Sequence, residues 1–240
     1  MMDRYLVKTH LLDFEAENIQ QLVESRHWRT LSENEKVKSI YNFVRDEIEF
    51  GFNEDDSLTA SSILRSGYGQ CNTKSILFMA LLRALQIPCR LHGFTIDKTL
   101  QKGIMNGMLY ERMPKEISHT WVEAYIDGQW HNFEGVILDL PYLSALQKKY
   151  ADHNGVFIGY GVAIEELQSP PVEWNGNNDT YIQRAGITQD FGLFDDPDSF
   201  FAKHSQKLSD EDKALFANNL RHKINKNITK IRQQNFSELE

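Results

Sequence analysis

Two cysteines, Cys71 and Cys89, are all that this 240-residue chain contains. So few exclude a disulfide framework, and neither falls in a Cys-x-x-Cys or mixed Cys/His spacing of the kind that holds zinc. No stretch approaches eighteen uninterrupted apolar residues, which excludes a helical membrane span by the usual length criterion. The first ten residues carry Asp3, Arg4 and Lys8 where a secretory leader needs a long apolar run, so a cytoplasmic location is expected. Basic residues are outnumbered, 26 Lys and Arg against 34 Asp and Glu for a net charge of −8, which weighs against nucleic acid as a general partner. A glycine-rich phosphate loop, an internal repeat and a low-complexity tract are also missing. No cofactor or metal is expected, and nothing points to membrane insertion or sets an oligomeric state.

What the chain does have is ordinary globular composition, 41% hydrophobic and 25% charged, with enough length to bury a sizeable core. Its most informative residue is Cys71 in Gly67-Tyr68-Gly69-Gln70-Cys71. The run Ser75-Ile76-Leu77-Phe78-Met79-Ala80-Leu81-Leu82-Arg83-Ala84-Leu85 follows it and stops before Pro88, which predicts a helix with Cys71 near its N-terminus. Because that helix is apolar on nearly every face, it should run through the core and hold the thiol at its mouth. Orphan N–H groups and the helix dipole favour thiolate there, and the thiolate is the nucleophile. The competing reading is a buried cysteine that acts as a small hydrophobe.

A matching histidine decides between them. His119 opens the β-prone run Thr120-Trp121-Val122-Glu123-Ala124-Tyr125-Ile126, and Asp127-Gly128 separates it from Gln129-Trp130-His131-Asn132-Phe133-Glu134. Asp-Gly between two such runs predicts a hairpin with a two-residue turn. Ile126 then faces Gln129, Trp121 faces Glu134 and His119 faces Val136. Glu134 becomes a diagonal neighbour of His119 on the same face, a base beside the group that orients it. Asp139 falls on the opposite parity and is the weaker third member. His131 falls on the face opposite His119, which again argues against zinc.

These three separated motifs, together with Ile87-Pro88-Cys89-Arg90 leading into a strand, resemble the core of the transglutaminase-like superfamily over roughly residues 30 to 140. The resemblance implies an α+β, papain-like fold in which a central buried helix carries the cysteine and an antiparallel sheet carries the histidine and acid. It implies Cys71 as nucleophile, His119 as base and Glu134 at the position usually held by aspartate. The expected activity is cysteine-dependent acyl transfer on a peptide or carboxamide through a thioester, with hydrolysis favoured over transfer to an amine. The alternative is a protein-interaction module that keeps the fold and has lost turnover. The oxyanion would be held by the Cys71 N–H and a second donor, Gln70 or Tyr68.

The rest of the chain is expected to complete one domain. Ser32 with Glu35 three residues later forms a capping box, and Val37, Ile40, Tyr41, Val44 and Ile48 mark the buried face that follows. A short helix over residues 59–65 should end at Gly67, and Leu91–Ile96 should be a strand. Lys98 to Glu116 reads as irregular or partly helical, bordering the cleft. Residues 141–205 form an extension whose aromatic-anchored loop, with Trp174 and Tyr181, is expected either to wall the cleft or merely to complete the core. Residues 206–235 read as an amphipathic helix capped by Ser209, with Phe216, Leu220, Ile224 and Ile228 inward and a basic face that includes Lys207 and Lys213 outward.

Overall fold

A computed structural model describes residues 2–206 and 208–239, without the side chains of Met108 and Leu109; Lys207 lies outside the described residues. The helices are α1 (Glu17–Ser25), α2 (Glu33–Asn42), α3 (Ala60–Ser66), α4 (Cys71–Ala84), α5 (Gly107–Glu111), α6 (Leu140–Lys149), α7 (Pro197–His204), α8 (Asp210–Leu215) and α9 (Arg221–Arg232). The strands are β1 (Glu49–Phe50), β2 (Tyr68–Gly69), β3 (Cys89–Asp97), β4 (Glu116–Ile126), β5 (Gln129–Phe133), β6 (Phe157–Gly159), β7 (Val162–Ile164) and β8 (Ile187–Phe194).

Helix α4 is the axis of the molecule. Every residue from Cys71 to Ala84 is buried, as an all-round apolar helix requires. It packs on the antiparallel sheet β5-β4-β3-β8, with α1, α2 and α3 on its other sides. The protein is therefore α+β, with the cysteine-bearing helix laid on an antiparallel sheet. The two basic side chains of α4, Arg83 and Lys74, are fully buried and donate to backbone carbonyls. Arg83 donates to the carbonyls of Val7, Cys89 and Asp195. Lys74 donates to the carbonyls of Arg45, Ile48 and Ile137 at 2.7–3.1 Å, and burial pulls its pKa down to about 7.

The local signals act where the residues place them. Ser32 and Glu35 form the capping box of α2, and Thr59 caps α3, which ends at Gly67 with φ 72°. Gly69 makes a close approach: a Cβ there would lie 2.7 Å from Thr73 Oγ1 and 3.0 Å from the Lys74 chain, so only glycine lets β2 run flat against α4. The hairpin register is the expected one, from Ile126 opposite Gln129 to Val122 opposite Phe133, with Asp127 and Gly128 both at positive φ. It stops there. Trp121 and Glu134 do not pair, because the chain leaves the sheet after Phe133 and Glu134 N donates to Thr180 O instead.

A second apolar cluster lies beyond β1, where Ile137, Leu138, Tyr142 and Leu146 meet Phe157, Val162, Ile224, Ile228 and Ile231. The C-terminal stretch is thus docked, as its apolar spacing suggests, but it is not one regular helix. Ser209 caps α8, a wider turn spans Phe216–Leu220, and α9 follows. Asn225 exchanges hydrogen bonds with the Phe52 backbone, and Arg232 holds Asp139.

Candidate active site

Cys71 is the first residue of α4 and is 9% exposed on the wall of a cavity of about 370 Å³. Gln70 precedes it as the N-cap, its backbone N–H held by Thr73 Oγ1 at 3.0 Å. Around the sulfur, the backbone N–H groups of Asn72 and Thr120 favour the thiolate. They are outweighed. Burial first, then the Asp56 and Glu134 carboxylates, push the thiol well above its ordinary value. The helix N-terminus alone therefore does not activate Cys71, contrary to the expectation from position; desolvation and two nearby carboxylates exceed the helix-end contribution.

Thr120, whose hydroxyl donates to Asn72 Oδ1 next to Cys71, is the neighbour of His119 on β4. His119 is completely buried, and its Nε2 lies 2.8 Å from Glu134 Oε1. Its Nδ1 is buried with no hydrogen-bond partner among the described residues. Glu134 is equally buried, and its second oxygen accepts from Ile182 N and Gln183 N at 2.9 Å each. Two backbone donors fix the carboxylate and the carboxylate fixes the ring, so the pair is held without solvent.

Asp139 is committed elsewhere. It caps α6 through Tyr142 N, accepts from Phe50 N, and takes two bonds from Arg232 at 2.7 and 3.0 Å. The remaining candidates separate. Gln70 lies on the cavity wall, but its amide is occupied: Oε1 accepts from Asn53 N and Nε2 donates to Asp56 at 2.8 Å. Tyr68 is half-buried off the cavity, its hydroxyl accepting from Arg221. Of the two uses expected for Trp174, walling the cleft or completing the core, it has the second: it is 2% exposed against Phe133 and His131. Tyr181 stacks edge-on to Trp121 and donates to Asp179, outside the cavity lining.

The cavity is instead bounded by the 50–57 loop, the 101–118 segment and the C-terminal stretch from Ser205 to Ile224. Asp56 and Asn72 are the polar neighbours of Cys71 that sequence reasoning missed. Asn72 donates to Ser118 O and accepts from the Thr120 hydroxyl, bolting the start of α4 to β4. Its place directly after Cys71 was the available signal. Asp56 carries none, since it reaches the site only through the fold of a loop.

Among the described residues no cluster of His, Cys, Asp and Glu forms a metal-holding group, and no helix is long and apolar enough to cross a membrane. Residues 20–135 match the core model of the transglutaminase-like superfamily, a span that includes Cys71, His119 and Glu134. No curated protein matches the chain. Among solved structures it is similar to a proposed cysteine protease from Cytophaga hutchinsonii, at 14% identity over 85% of this chain and 49% of that one, with a TM-score of 0.46. A proposed protease from Parabacteroides distasonis is 16% identical over 70% and 30% of the two chains, with a TM-score of 0.34. Red sea bream transglutaminase is 15% identical over 55% and 26%, with a TM-score of 0.31. The chain thus spans about half the length of the Cytophaga protein and less of the other two.

Proposed function

We propose that the protein is a cysteine-dependent acyl-transfer enzyme in which Cys71 is the nucleophile, His119 the general base and acid, and Glu134 the group that orients and charges the ring. The observation that carries this reading is the buried His119–Glu134 pair on a strand whose Ser118 and Thr120, flanking the histidine, are bonded to Asn72, the residue after Cys71 at the helix N-terminus. Glu134 holds the proton on Nε2, which leaves unpartnered Nδ1 to receive the thiol proton. The sulfur then attacks the carbonyl of a peptide or carboxamide. The Cys71 backbone N–H serves in this reading as a donor to the developing oxyanion. As the C–N bond breaks, Nδ1 returns its proton to the departing amine and a thioester remains on Cys71. Water attacks that thioester with the same nitrogen as base, releasing acid and free thiol. Hydrolysis is favoured over amine transfer because water is always at hand as the acceptor.

Burial and the Asp56 and Glu134 carboxylates disfavour a solitary thiolate, so attack by Cys71 requires that the thiol proton pass to His119. A solitary thiolate would be buried beside two carboxylates, whereas thiolate and imidazolium together are neutral and satisfy Glu134. The test uses p-nitrophenyl acetate as a small activated acyl donor. Acetylated Cys71, located by mass spectrometry, with loss of acylation in both Cys71→Ala and His119→Ala proteins that stay folded, would support the assignment. Undiminished acylation of purified Cys71→Ala would remove Cys71 as the nucleophile and favour the interaction-module alternative.

A further inference from the structure

Strand β4 has an unequal pair of edges. Strand β3 covers one edge over its whole length, from Asp97 opposite Glu116 to Cys89 opposite Ala124, while β5 covers the other only from Val122 onward. In an antiparallel strand alternate residues send both backbone groups to the same edge, so Glu116, Ser118 and Thr120 face the uncovered side. The start of α4 fills part of that gap. Asn72 donates to Ser118 O and Ser75 donates to Thr120 O, which lays the first turn of α4, opened by Cys71, along that edge. The next two groups along the edge, moving away from the thiol, are Ser118 N–H and Glu116 C=O.

Both are taken by one side chain from the far end of the chain. Gln206 Oε1 accepts from Ser118 N at 3.0 Å, and Gln206 Nε2 donates to Glu116 O at 3.4 Å. A carboxamide used this way offers one acceptor and one donor to residues i and i−2 of a strand, as the amide groups of an added strand would. Gln206 and Ser118 both line the cavity that holds Cys71. Three other polar atoms from its lining residues, Ser118 Oγ, Gln101 Oε1 and Gln183 Oε1, are buried without a hydrogen-bond partner among the described residues. A ligand with N–H donors would satisfy the two carbonyl oxygens.

We infer that the Ser118–Glu116 edge is an amide-recognition subsite for the acyl donor, and that Gln206 fills it from within the chain as a competing pseudo-substrate. The inference deepens the acyl-transfer reading and rests on it for the identity of the amide as a substrate. The anchoring pattern fits such a device. Beyond the cleft, Asn225, Asn227 and Arg232 fasten α9 to Phe52, Ile104 and Asp139, whereas α8 contributes no buried residue. Withdrawal of Gln206 would clear the edge while α9 stayed docked.

The test compares the full-length wild type with Gln206→Ala and Gln206→Glu. Glutamate accepts from Ser118 N–H but cannot donate to Glu116 O, and Gln206 is part-exposed, so neither change threatens the fold. Three quantities are read: hydrogen exchange at the Ser118 amide, alkylation of Cys71 by iodoacetamide with Cys89 as internal reference, and binding of N-acetylglutamine amide. In Gln206→Ala, exchange and alkylation should each rise and the amide probe should bind about two- to tenfold more tightly, the range for one or two lost competing hydrogen bonds. Gln206→Glu should fall between. Unchanged exchange, alkylation and probe affinity in both variants would overturn the inference. Because none of these readouts needs turnover, tighter probe binding without any acyl transfer would refute the catalytic reading and leave the subsite standing.

Discussion

Glu134 reaches His119 Nε2 at 2.8 Å although β5 ends one residue earlier, at Phe133. The carboxylate is positioned less by strand pairing than by the N–H groups of Ile182 and Gln183, which hold its other oxygen. Its two oxygens therefore have separable duties, one toward the ring and one toward the fold.

That separation sets the outcome of two substitutions. Glu134→Gln keeps an acceptor and the side-chain shape but loses the charge that stabilises imidazolium; acylation by p-nitrophenyl acetate should fall by about 10- to 100-fold while the thermal midpoint moves little. Glu134→Ala also strands two buried N–H donors, so it should cost about 2–5 kcal/mol of stability in urea titration as well. Equal destabilisation by both changes would show that the carboxylate charge, rather than its hydrogen-bonding shape, holds the loop.

Asp139 was the other acidic candidate beside the hairpin, and its surroundings give it a structural role. Burial raises its pKa, but Arg232 and the N–H groups of Phe50 and Tyr142 more than offset this and hold it below the ordinary 3.8. A depressed folded-state value means that its contribution is complete above about pH 3.8 and is lost as pH falls through the folded value. Asp139→Asn should lower stability at pH 7 by about 1–3 kcal/mol and flatten the acid limb of the stability curve, with iodoacetamide reactivity of Cys71 retained. Loss of that reactivity in a folded Asp139→Asn protein would contradict the structural role.

On the sheet, His92 is held between Glu123 at 3.0 Å and Asp190 at 2.9 Å, a clamp that ties β8 to β3. Burial lowers its pKa, yet the two carboxylates outweigh this and leave it raised above 6.5. The sign is opposite to that of Asp139: the stabilisation is fully present below about pH 6.5 and is lost as pH rises through the folded value. Urea midpoints measured from pH 5 to 9 should decline over the upper part of that range in wild type and decline less in His92→Gln. Parallel curves would show that the clamp does not titrate.

The parts of this molecule legible in the sequence are those governed by short-range rules. Cys71 at a helix start, the fully buried α4, the capping box at Ser32, the Asp127-Gly128 turn and the register up to Val122 all follow from neighbours in the chain. Residues 20–135, where these signals lie, are also the part that matches the superfamily model. The cleft is another matter. Trp174 looked like a loop anchor over the site, but an indole is as well suited to filling a core, and spacing does not distinguish the two uses. The 98–116 segment does border the cleft as expected, but the rest of the boundary comes from Asp56 and residues near 206–224, which meet it only through long-range packing. The amphipathic spacing of Phe216, Leu220, Ile224 and Ile228 marked a buried face without saying that its first half would border the thiol.

The most direct test of the thiol–imidazole pair is the pH profile of Cys71 alkylation by iodoacetamide in wild type and His119→Ala, with the label located by mass spectrometry. Burial, with the Asp56 and Glu134 carboxyl groups nearby, disfavours a lone Cys71 thiolate, so any reactivity near neutral pH is assigned to proton transfer to His119. Wild type should react well below the free-thiol value of about 8.5, and His119→Ala should react at least about tenfold more slowly at pH 7, with its profile displaced to high pH. A wild-type profile that rises only above pH 9 and coincides with that of His119→Ala would contradict the pair.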